Sequence, residues 1–310
     1  MLALRALKLG DLLVAVPALR GLRRAYPGHR LVLACPEWLE PVAEAIGGID
    51  ALSPTPGLDD PLPLAPGRVD VAANLHGSGP ESRRIVDALG ARVTIAHRVA
   101  EIDGDAPRDP RMPAWRDDLH ERERWTRLVG AFRIAADPAD LRLLPPVVGS
   151  PADGATVVHV GAFHGSRLWP VERFAAVSRA LRGDGHRVVY TGSARERERA
   201  LAVASAAGDP ESAVLAGGLD LAAFLATVAG ARLVVTADTG AGHLASAYAR
   251  PSVVLFGPAS PEHWGPPPGP HVALTDARVR RGDVFAETPD PAILAVGVDD
   301  VLRAVRTVLP

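Results

Sequence analysis

Cysteine is almost absent from this sequence, since its 310 residues include only Cys35. A single cysteine excludes an internal disulfide and any zinc site built from cysteines. Cys35 follows the apolar residues 31–34, so we interpret it as a small buried side chain and not as a nucleophile. The ten histidines are scattered along the chain, and the sequence therefore predicts no metal site.

Strong positive charge and long apolar runs are absent as well. The formal net charge is −2, and no stretch interleaves basic with aromatic side chains, so we expect no nucleic-acid partner. No apolar run approaches the roughly 20 residues that span a bilayer. Residues 12–19 could pass for the core of a signal peptide, but Asp11 and the lack of a small-residue cleavage site argue against one. We predict a cytoplasmic protein with at most peripheral membrane contact.

A dinucleotide-binding motif is also missing. No G-x-G-x-x-G opens a helix after a strand with an acidic residue about 20 positions later. This absence argues against a dinucleotide-dependent dehydrogenase, an enzyme class whose fold would overlap with the one predicted below.

The composition that is present suits a soluble globular protein, with 47% hydrophobic and 23% charged residues. A length of 310 residues fits two domains of ordinary size. Prolines cluster in residues 138–151, and we place the domain boundary there. The prediction is an N-terminal domain of residues 1–150 and a C-terminal domain of residues 151–310.

Strand, turn and helix patterns alternate along both halves, which predicts an α/β fold with parallel sheets covered by helices. The first unit of this kind is a strand at residues 2–7, a turn at residues 8–11 and a helical pattern at residues 12–26. Pro17 favours a helix that starts near Val16 or bends there.

Two segments of the N-terminal half have no predicted part in the chemistry of a site. Residues 98–118 mix proline, aspartate and arginine without periodicity, and we interpret them as a mobile surface segment able to touch an acceptor. Residues 119–132 form an amphipathic helix rich in charges, which we expect to lie on a solvated face.

Residues 233–248 hold the most informative turn. A strand pattern at residues 233–237 stops at Asp238, and a helical pattern resumes after a Gly-Ala-Gly turn. Capping side chains, glycines and the helix dipole would suit an anion such as a diphosphate. The alternative is an ordinary strand-to-helix turn with no ligand. His243 either faces the ligand or forms a hydrogen bond in the wall between the domains.

Asp11 and Arg167 lie in two further polar turns that each follow a predicted strand. All three turns could border one cleft in a two-domain protein. One domain would then offer an isolated carboxylate as a general base, and the other a cation and a helix N-terminus for a diphosphate leaving group. The alternatives are that Asp11 only caps its helix and that Arg167 only pairs with a neighbouring carboxylate. A fourth polar turn, His76-Gly-Ser78, also follows a strand.

Four motifs in this order resemble glycosyltransferase family 9, the ADP-heptose lipopolysaccharide heptosyltransferases. They are Leu9-Gly-Asp-Leu-Leu with Val16-Pro-Ala-Leu, Arg167-Leu-Trp-Pro-Val-Glu-Arg-Phe, Asp238-Thr-Gly-Ala-Gly-His-Leu-Ala and Phe256-Gly-Pro-Ala-Ser-Pro. The resemblance implies a GT-B fold, in which two Rossmann-like domains face each other across a cleft. It also implies that the last helix, about residues 298–310, packs back on the N-terminal domain.

The resemblance further implies an inverting, metal-independent transfer of a sugar, such as a heptose, from an ADP-type nucleotide sugar to an acceptor hydroxyl, without a cofactor. Carried over by position, Asp11 is the general base and Glu196 and Leu219 bind the nucleoside. Trp169 is interpreted as a packing residue. The implied donor phosphate site consists of Arg167, Asp238, Thr239, Gly240, Ala241 and His243. The implied lining of the acceptor side or cleft consists of Gly10, His76 and Ser78.

Two other readings are compatible with the same residues. One is a GT-B epimerase or phosphorylase, and the other is a non-catalytic protein that binds nucleotide sugars. The transferred sugar, the oligomeric state and the acceptor, whether a glycan or a small molecule, stay open at the level of sequence.

Overall fold

The computed structural model describes residues 1–105 and 107–309. Ala106, within the predicted surface segment 98–118, and Pro310, at the end of the predicted last helix, lie outside the described residues. The chain forms two compact units, which divide after residue 144, whereas the sequence placed the boundary after residue 150. We call residues 1–144 the first unit and residues 145–310 the second unit.

The first unit contains a five-stranded parallel sheet with the order β3-β2-β1-β4-β5. Its strands are β1 (Leu2–Leu4), β2 (Val32–Cys35), β3 (Ala51–Pro54), β4 (Val71–Asn74) and β5 (Val93–Ile95). Its helices are α1 (Leu9–Ala25), α2 (Glu40–Ile46), α3 (Pro80–Asp87), α4 (Ala100–Asp103) and α5 (Glu121–Ala131). Cys35 is buried in β2, as the sequence predicted, and burial raises the pKa of its thiol to about 12.

Helix α1 begins earlier than the sequence predicted. It starts at Leu9 and runs through Pro17 to Ala25, so Gly10 and Asp11 lie in its first turn and not in a preceding loop. A proline inside a helix removes one hydrogen bond. Here the side chains around Pro17 are fully buried, including Val16 and Leu19, and their packing holds the helix together across that position.

Two other predictions for the first unit are wrong in part. Glu121, Arg122 and Arg124 of α5 are buried and do not lie on a solvated face. Glu121 and Arg124 form an ion pair at 2.8 Å, which offsets the cost of burying their charges. The segment 98–118 is also not wholly at the surface, because the Asp103 carboxylate is buried against Arg83 at 2.9 Å.

The second unit repeats the architecture, with a parallel sheet of order β10-β9-β8-β6-β7. Its strands are β6 (Thr156–His159), β7 (Val188–Thr191), β8 (Leu233–Ala237), β9 (Ser252–Leu255) and β10 (His271–Leu274). Its helices are α6 (Val171–Gly183), α7 (Arg197–Ala207), α8 (Leu221–Ala229), α9 (Gly240–Ala247), α10 (Pro261–Trp264), α11 (Pro291–Leu294) and α12 (Val298–Val308).

The last helix, α12, belongs to the core of the second unit. It packs on α6, β9 and β10, and its apolar face is buried there. The members of that face are Val301, Ala304, Val305 and Val308. That this helix also packs back on the N-terminal domain stays a prediction.

Each sheet has a switch point, where two neighbouring strands connect in opposite directions along the sheet. It lies between β1 and β4 in the first unit and between β6 and β8 in the second. Open parallel sheets bind ligands in the crevice outside the carboxyl ends of these strands. The two switch points are therefore where the fold favours a site.

Candidate active site

Asp11 lies at the switch point of the first unit, in the first turn of α1 just after β1. One carboxylate oxygen, Oδ2, accepts a hydrogen bond from the Lys8 backbone N–H at 3.2 Å. The other, Oδ1, lies 4.0 Å from Nη2 of Arg5, and the side chain keeps 28% of its surface exposed. A carboxylate in the first turn is favoured by the helix dipole. Asp11 thus caps its helix and also presents an accessible carboxylate.

Arg5, which the sequence analysis did not single out, contacts both the first turn of α1 and the loop after β4. Its guanidinium is 1% exposed and lies over the Trp125 ring at 4.5 Å from the centroid. It donates hydrogen bonds to the backbone carbonyls of Asp11, Leu75 and His76. A charged residue inside the apolar start of the chain, Leu2 to Leu7, was the signal that could have identified it.

His76 follows β4 at the same switch point. Burial, and next the charge of Arg5, lower the pKa of its imidazole from the ordinary 6.5 to about 4, so the ring is neutral near pH 7. Its backbone N–H donates to the Asn74 side chain at 3.0 Å. Gly10 and Ser78 are half-buried, Gly10 in the first turn of α1 and Ser78 in the loop after β4. The first unit thus places Gly10, Asp11, His76 and Ser78 in the two segments that leave its switch point.

Arg167 and Asp238 meet at the switch point of the second unit. Arg167 follows β6 and Asp238 follows β8, and their side chains form an ion pair at 3.7 Å between Nε and Oδ2. The guanidinium also donates from Nη1 to the Asp238 carbonyl at 3.4 Å. Asp238 is 5% exposed, whereas the Arg167 side chain is 27% exposed. The carboxylate therefore orients the arginine, and the arginine presents positive charge to solvent.

Helix α9 begins directly after this pair. Thr239 is its N-cap, and its hydroxyl accepts from the Ala241 N–H at 3.3 Å. Thr239 is itself bonded to the Thr236 hydroxyl at 2.9 Å. The half-buried His243 ring lies edge-on to Trp264, with 6.2 Å between ring centroids. The N-terminus of α9, with Gly240 and Ala241, therefore lies next to Arg167, an arrangement suited to an anion.

Glu196 lies on the other side of the loop that follows β6. Its carboxylate accepts from the Ser193 N–H at 2.6 Å and packs against Gly161, where a Cβ atom would come within 2.3 Å of it. Leu219 is half-buried and lies at the end of a turn. The Gly217 N–H in this turn donates a hydrogen bond to the Gly192 carbonyl, just after β7, at 3.0 Å. Both residues thus lie at the carboxyl edge of the sheet.

A second segment, residues 280–290, holds the loop after β6 in place, and the sequence analysis missed this function. Ser166 accepts from the Asp290 N–H and donates to Ala286 O, at 2.9 and 2.8 Å. Gly165 leaves no room for a Cβ atom beside the Glu287 carbonyl. Trp169, in turn, is fully buried and donates to Val296 O at 3.0 Å, which confirms it as a packing residue.

Within residues 1–105 and 107–309, no three His, Cys, Asp or Glu side chains are grouped so that they could hold a metal ion. No helix in the same part of the chain is both long and apolar enough to cross a bilayer.

Comparisons with known proteins identify the family of this chain. The model of glycosyltransferase family 9 (heptosyltransferase) matches residues 104–276. The lipopolysaccharide heptosyltransferase 2 of Salmonella typhimurium is 23% identical over 97% of this chain and 95% of its own. The lipopolysaccharide heptosyltransferase 1 of Pseudomonas aeruginosa is 29% identical over 85% of this chain and 80% of its own.

The fold has close relatives among solved structures. The Escherichia coli ADP-heptose LPS heptosyltransferase II superposes with a TM-score of 0.77 at 20% identity, covering 99% of this chain and 98% of that one. This likeness confirms the predicted GT-B fold class with its two Rossmann-like domains. Because the family match spans more than half of its residues, this chain belongs to glycosyltransferase family 9, the heptosyltransferase family, and is a glycosyltransferase.

Proposed function

We propose that this protein transfers a heptose from an ADP-linked donor to an acceptor hydroxyl, with inversion at the anomeric carbon and without a metal ion. The observation that carries the proposal is the pairing of Arg167 and Asp238 beside the N-terminus of α9, at the switch point of the second unit. The ADP-heptose donor is suggested by the name of the E. coli structural relative. The lipopolysaccharide acceptor is suggested in the same way by the Salmonella and Pseudomonas relatives.

In the proposed reaction Asp11 accepts the proton of the acceptor hydroxyl. The acceptor oxygen forms a bond to the anomeric carbon while the bond from that carbon to the phosphate oxygen breaks, and ADP leaves with the electron pair. Asp11 is supported in this role by its exposed carboxylate and its place in the first turn of a helix. Gly10, His76 and Ser78 are proposed to line the acceptor side.

The second unit is proposed to hold the leaving diphosphate. Arg167 and the backbone N–H group of Gly240 at the start of α9 would stabilise its developing negative charge, and Ala241 lies next to them with its N–H bonded to the Thr239 hydroxyl. Asp238 acts by holding Arg167, Thr239 by capping α9, and His243 by its place on the first helical turn. This fixed positive charge replaces what a divalent cation would supply, which supports metal independence. We predict that EDTA leaves turnover unchanged.

Glu196 and Leu219 are proposed to bind the nucleoside. Each oxygen of the Glu196 carboxylate has two lone pairs, so the hydrogen bond from Ser193 leaves capacity for the ribose hydroxyls. Leu219 offers a half-buried apolar surface for the adenine. The cytoplasmic location inferred from the sequence stays a prediction.

The donor is tested by mass-spectrometric screening of the protein against ADP-heptose, ADP-glucose, UDP-glucose and GDP-mannose with a lipopolysaccharide core oligosaccharide and other hydroxylated acceptors. We expect product with ADP-heptose only. Transfer from a uridine or guanosine donor in preference to the adenosine donors would refute the nucleotide assignment, and transfer from ADP-glucose in preference to ADP-heptose would refute the sugar assignment.

The phosphate site is tested by calorimetric titration of ADP into variants. Arg167→Gln removes the charge-assisted contact, and we expect ADP to bind about 10- to 100-fold more weakly. The control is Arg179→Gln, because Arg179 is an exposed arginine on α6 of the same unit. If both variants bind ADP with the same affinity, the assignment of Arg167 to the phosphate site is refuted.

A further inference from the structure

Arg5 is a buried cation of the first unit whose presence the fold alone does not require. It follows β1 and is 1% exposed. Placing a guanidinium inside a protein is unfavourable unless hydrogen bonds and opposite charges compensate it. An apolar residue at the end of a buried strand would avoid this penalty, so the contacts of Arg5 indicate what the charge is for.

Those contacts join the two segments that leave the switch point to a third segment, α5. Nε donates to the Asp11 carbonyl at 2.8 Å, at the start of α1. Nη1 donates to the carbonyls of Leu75 and His76, in the loop after β4. The third segment is α5, where the Trp125 ring packs against the guanidinium at 4.5 Å. One side chain therefore fixes the spacing between the first turn of α1 and the loop after β4.

The charge of Arg5 is directed at the carboxylate of Asp11. Nη2 lies 4.0 Å from Oδ1 of Asp11, and within the described residues this is the one ion pair that Arg5 forms. Its hydrogen bonds go to neutral carbonyls, so the attraction to its positive charge comes from the carboxylates of Asp11 first and Glu121 next. Together with the Lys8 N–H on Oδ2, this attraction restricts the rotation of the carboxylate while both oxygens keep lone pairs for another partner.

Arg83 shows what a buried arginine with a purely structural function looks like in the same unit. It is also 1% exposed, but two carboxylates neutralise it, Asp87 at 3.1 Å and Asp103 at 2.9 Å. Arg83 contacts Asp11 through none of its described hydrogen bonds or ion pairs. The two arginines are matched in burial, but Arg83 donates hydrogen bonds to its carboxylates, whereas the described hydrogen bonds of Arg5 go to backbone carbonyls.

We propose that Arg5 is a positioning residue for the general base, which orients the Asp11 carboxylate and sets its distance from the His76 loop where the acceptor binds. This inference rests on the proposed function of Asp11. Arg5 acts through Asp11 and touches no substrate. Its loss should therefore lower the rate of the chemical step and leave the affinity for ADP unchanged, because the residues proposed to bind ADP belong to the second unit.

The experiment compares Arg5→Met, Arg5→Lys and the matched control Arg83→Met in the full chain, with kcat, the dissociation constant of ADP and the melting temperature measured for each. We expect Arg5→Met to lower kcat by about 100-fold, since small misplacement of a reacting group has effects of this size. Arg5→Lys keeps the charge but not the planar guanidinium, so its kcat should lie between that of the parent and that of Arg5→Met. Adding guanidinium ion at millimolar concentration should restore part of the activity of Arg5→Met.

The control separates positioning from loss of stability. Arg83→Met should lower the melting temperature at least as much as Arg5→Met, with kcat close to that of the parent and no response to guanidinium. Equal effects of both substitutions on kcat, without rescue by guanidinium, would overturn the proposal. If Arg5→Met does not fold, the test rests on Arg5→Lys. A kcat of Arg5→Lys equal to that of the parent would also overturn the proposal.

Asp11→Asn separates this inference from the proposed function beneath it. Parent-like turnover of Asp11→Asn would refute the base assignment and the inference with it. If Asp11→Asn is inactive and Arg5→Met retains the kcat of the parent, only the function of Arg5 is refuted. In the Asp11→Asn background, Arg5→Lys should cause no further loss of residual turnover, because residues that act through one another are not additive. A further tenfold loss would show that Arg5 acts independently of Asp11.

Discussion

At the scale of single residues, the first unit buries imidazole rings beside its candidate site. His97 is 1% exposed, and within the described residues neither of its ring nitrogens has a hydrogen-bond partner. It packs edge-on between Trp115 and Trp125, at 5.0 and 5.8 Å between ring centroids. Burial, and next the charges of nearby arginines, lower the pKa of His97 to about 3, far below its ordinary 6.5.

These imidazoles make stability depend on pH. An unfolded chain binds a proton on each histidine below about pH 6.5, whereas the folded protein excludes it until the pH nears the lowered pKa. Their contribution to stability is therefore complete above pH 6.5 and decreases as the pH falls towards 4. His76, with a pKa of about 4, adds to the same trend.

We predict that His97→Phe weakens this dependence. Phenylalanine fits an aromatic environment and carries no proton, so the loss in free energy of unfolding from pH 7 to pH 5 should be smaller by roughly 2 kcal/mol than in the parent. Urea titrations at both pH values measure the difference. The same comparison between pH 7 and pH 8 is the control, where parent and variant should respond alike. Equal losses from pH 7 to pH 5 would contradict a low pKa for His97.

At the scale of elements, the site depends on how helices begin. Asp11 is in the first turn of α1, and Arg167 faces the start of α9. Thr239 caps α9 through its hydroxyl, as Asp220 caps α8 through its carboxylate, which accepts from Ala223 N at 2.8 Å. The two caps belong to the same unit and have similar structural functions, but only one adjoins Arg167.

The two caps allow a matched prediction. Thr239→Ala and Asp220→Ala should each lower the free energy of unfolding by about 1 kcal/mol, the usual effect of removing an N-cap. Only Thr239→Ala should also weaken ADP binding, by about fivefold, because its loss loosens the amides proposed to contact the diphosphate. Denaturant titration and calorimetry measure the two effects. If ADP binds more weakly to both variants, or to neither, the N-terminus of α9 is not part of the donor site.

Elements were predictable from sequence where burial is strong on both sides. The five-residue β8 is buried throughout, and its apolar run and the capped helix after it were recognised from the residues alone. Three strands were missed, β3, β5 and β10. All three lie at sheet edges and have three or four residues. β3 and β10 are only partly buried along their lengths and β5 has three residues, so none of them shows the long buried apolar run that marks β8.

The candidate site was predictable for a similar reason, and only in part. Asp11, Arg167 and Asp238 stand out because polar residues directly after buried strands lie at the ligand edge of a parallel sheet. Arg5 and the segment 280–290 act through contacts with residues far away in the chain, such as Leu75 and Ser166. Local patterns contain no information on such contacts. The buried charges of α5 were misjudged for the same reason, since their partners are set by tertiary packing.

At the scale of the whole molecule, the second unit contains everything that its core requires. Its core draws on β6 to β9, on α6 and α7 and on the last helix, α12, all within residues 145–309. A unit with its own core and its own sheet should fold alone.

We predict that a fragment of residues 145–310 folds cooperatively and binds ADP with an affinity within a few-fold of the full chain. A shorter fragment, residues 145–296, lacks α12 and exposes the apolar surface that this helix covers, so it should fail to give a cooperative transition. Urea unfolding followed by tryptophan fluorescence and ADP titration measure both properties. A stable shorter fragment would contradict the placement of α12 in this core.

The most direct test of the central claim is the effect of Asp11→Ala on two quantities in the same preparation, turnover of the donor and acceptor pair found by the mass-spectrometric screen and the dissociation constant of ADP. We predict that turnover falls by about 1,000-fold or more, as expected when a general base is removed, while ADP binds as it does to the parent. Turnover close to that of the parent, or a loss of ADP binding that parallels the loss of turnover, would contradict the assignment of Asp11 as the base.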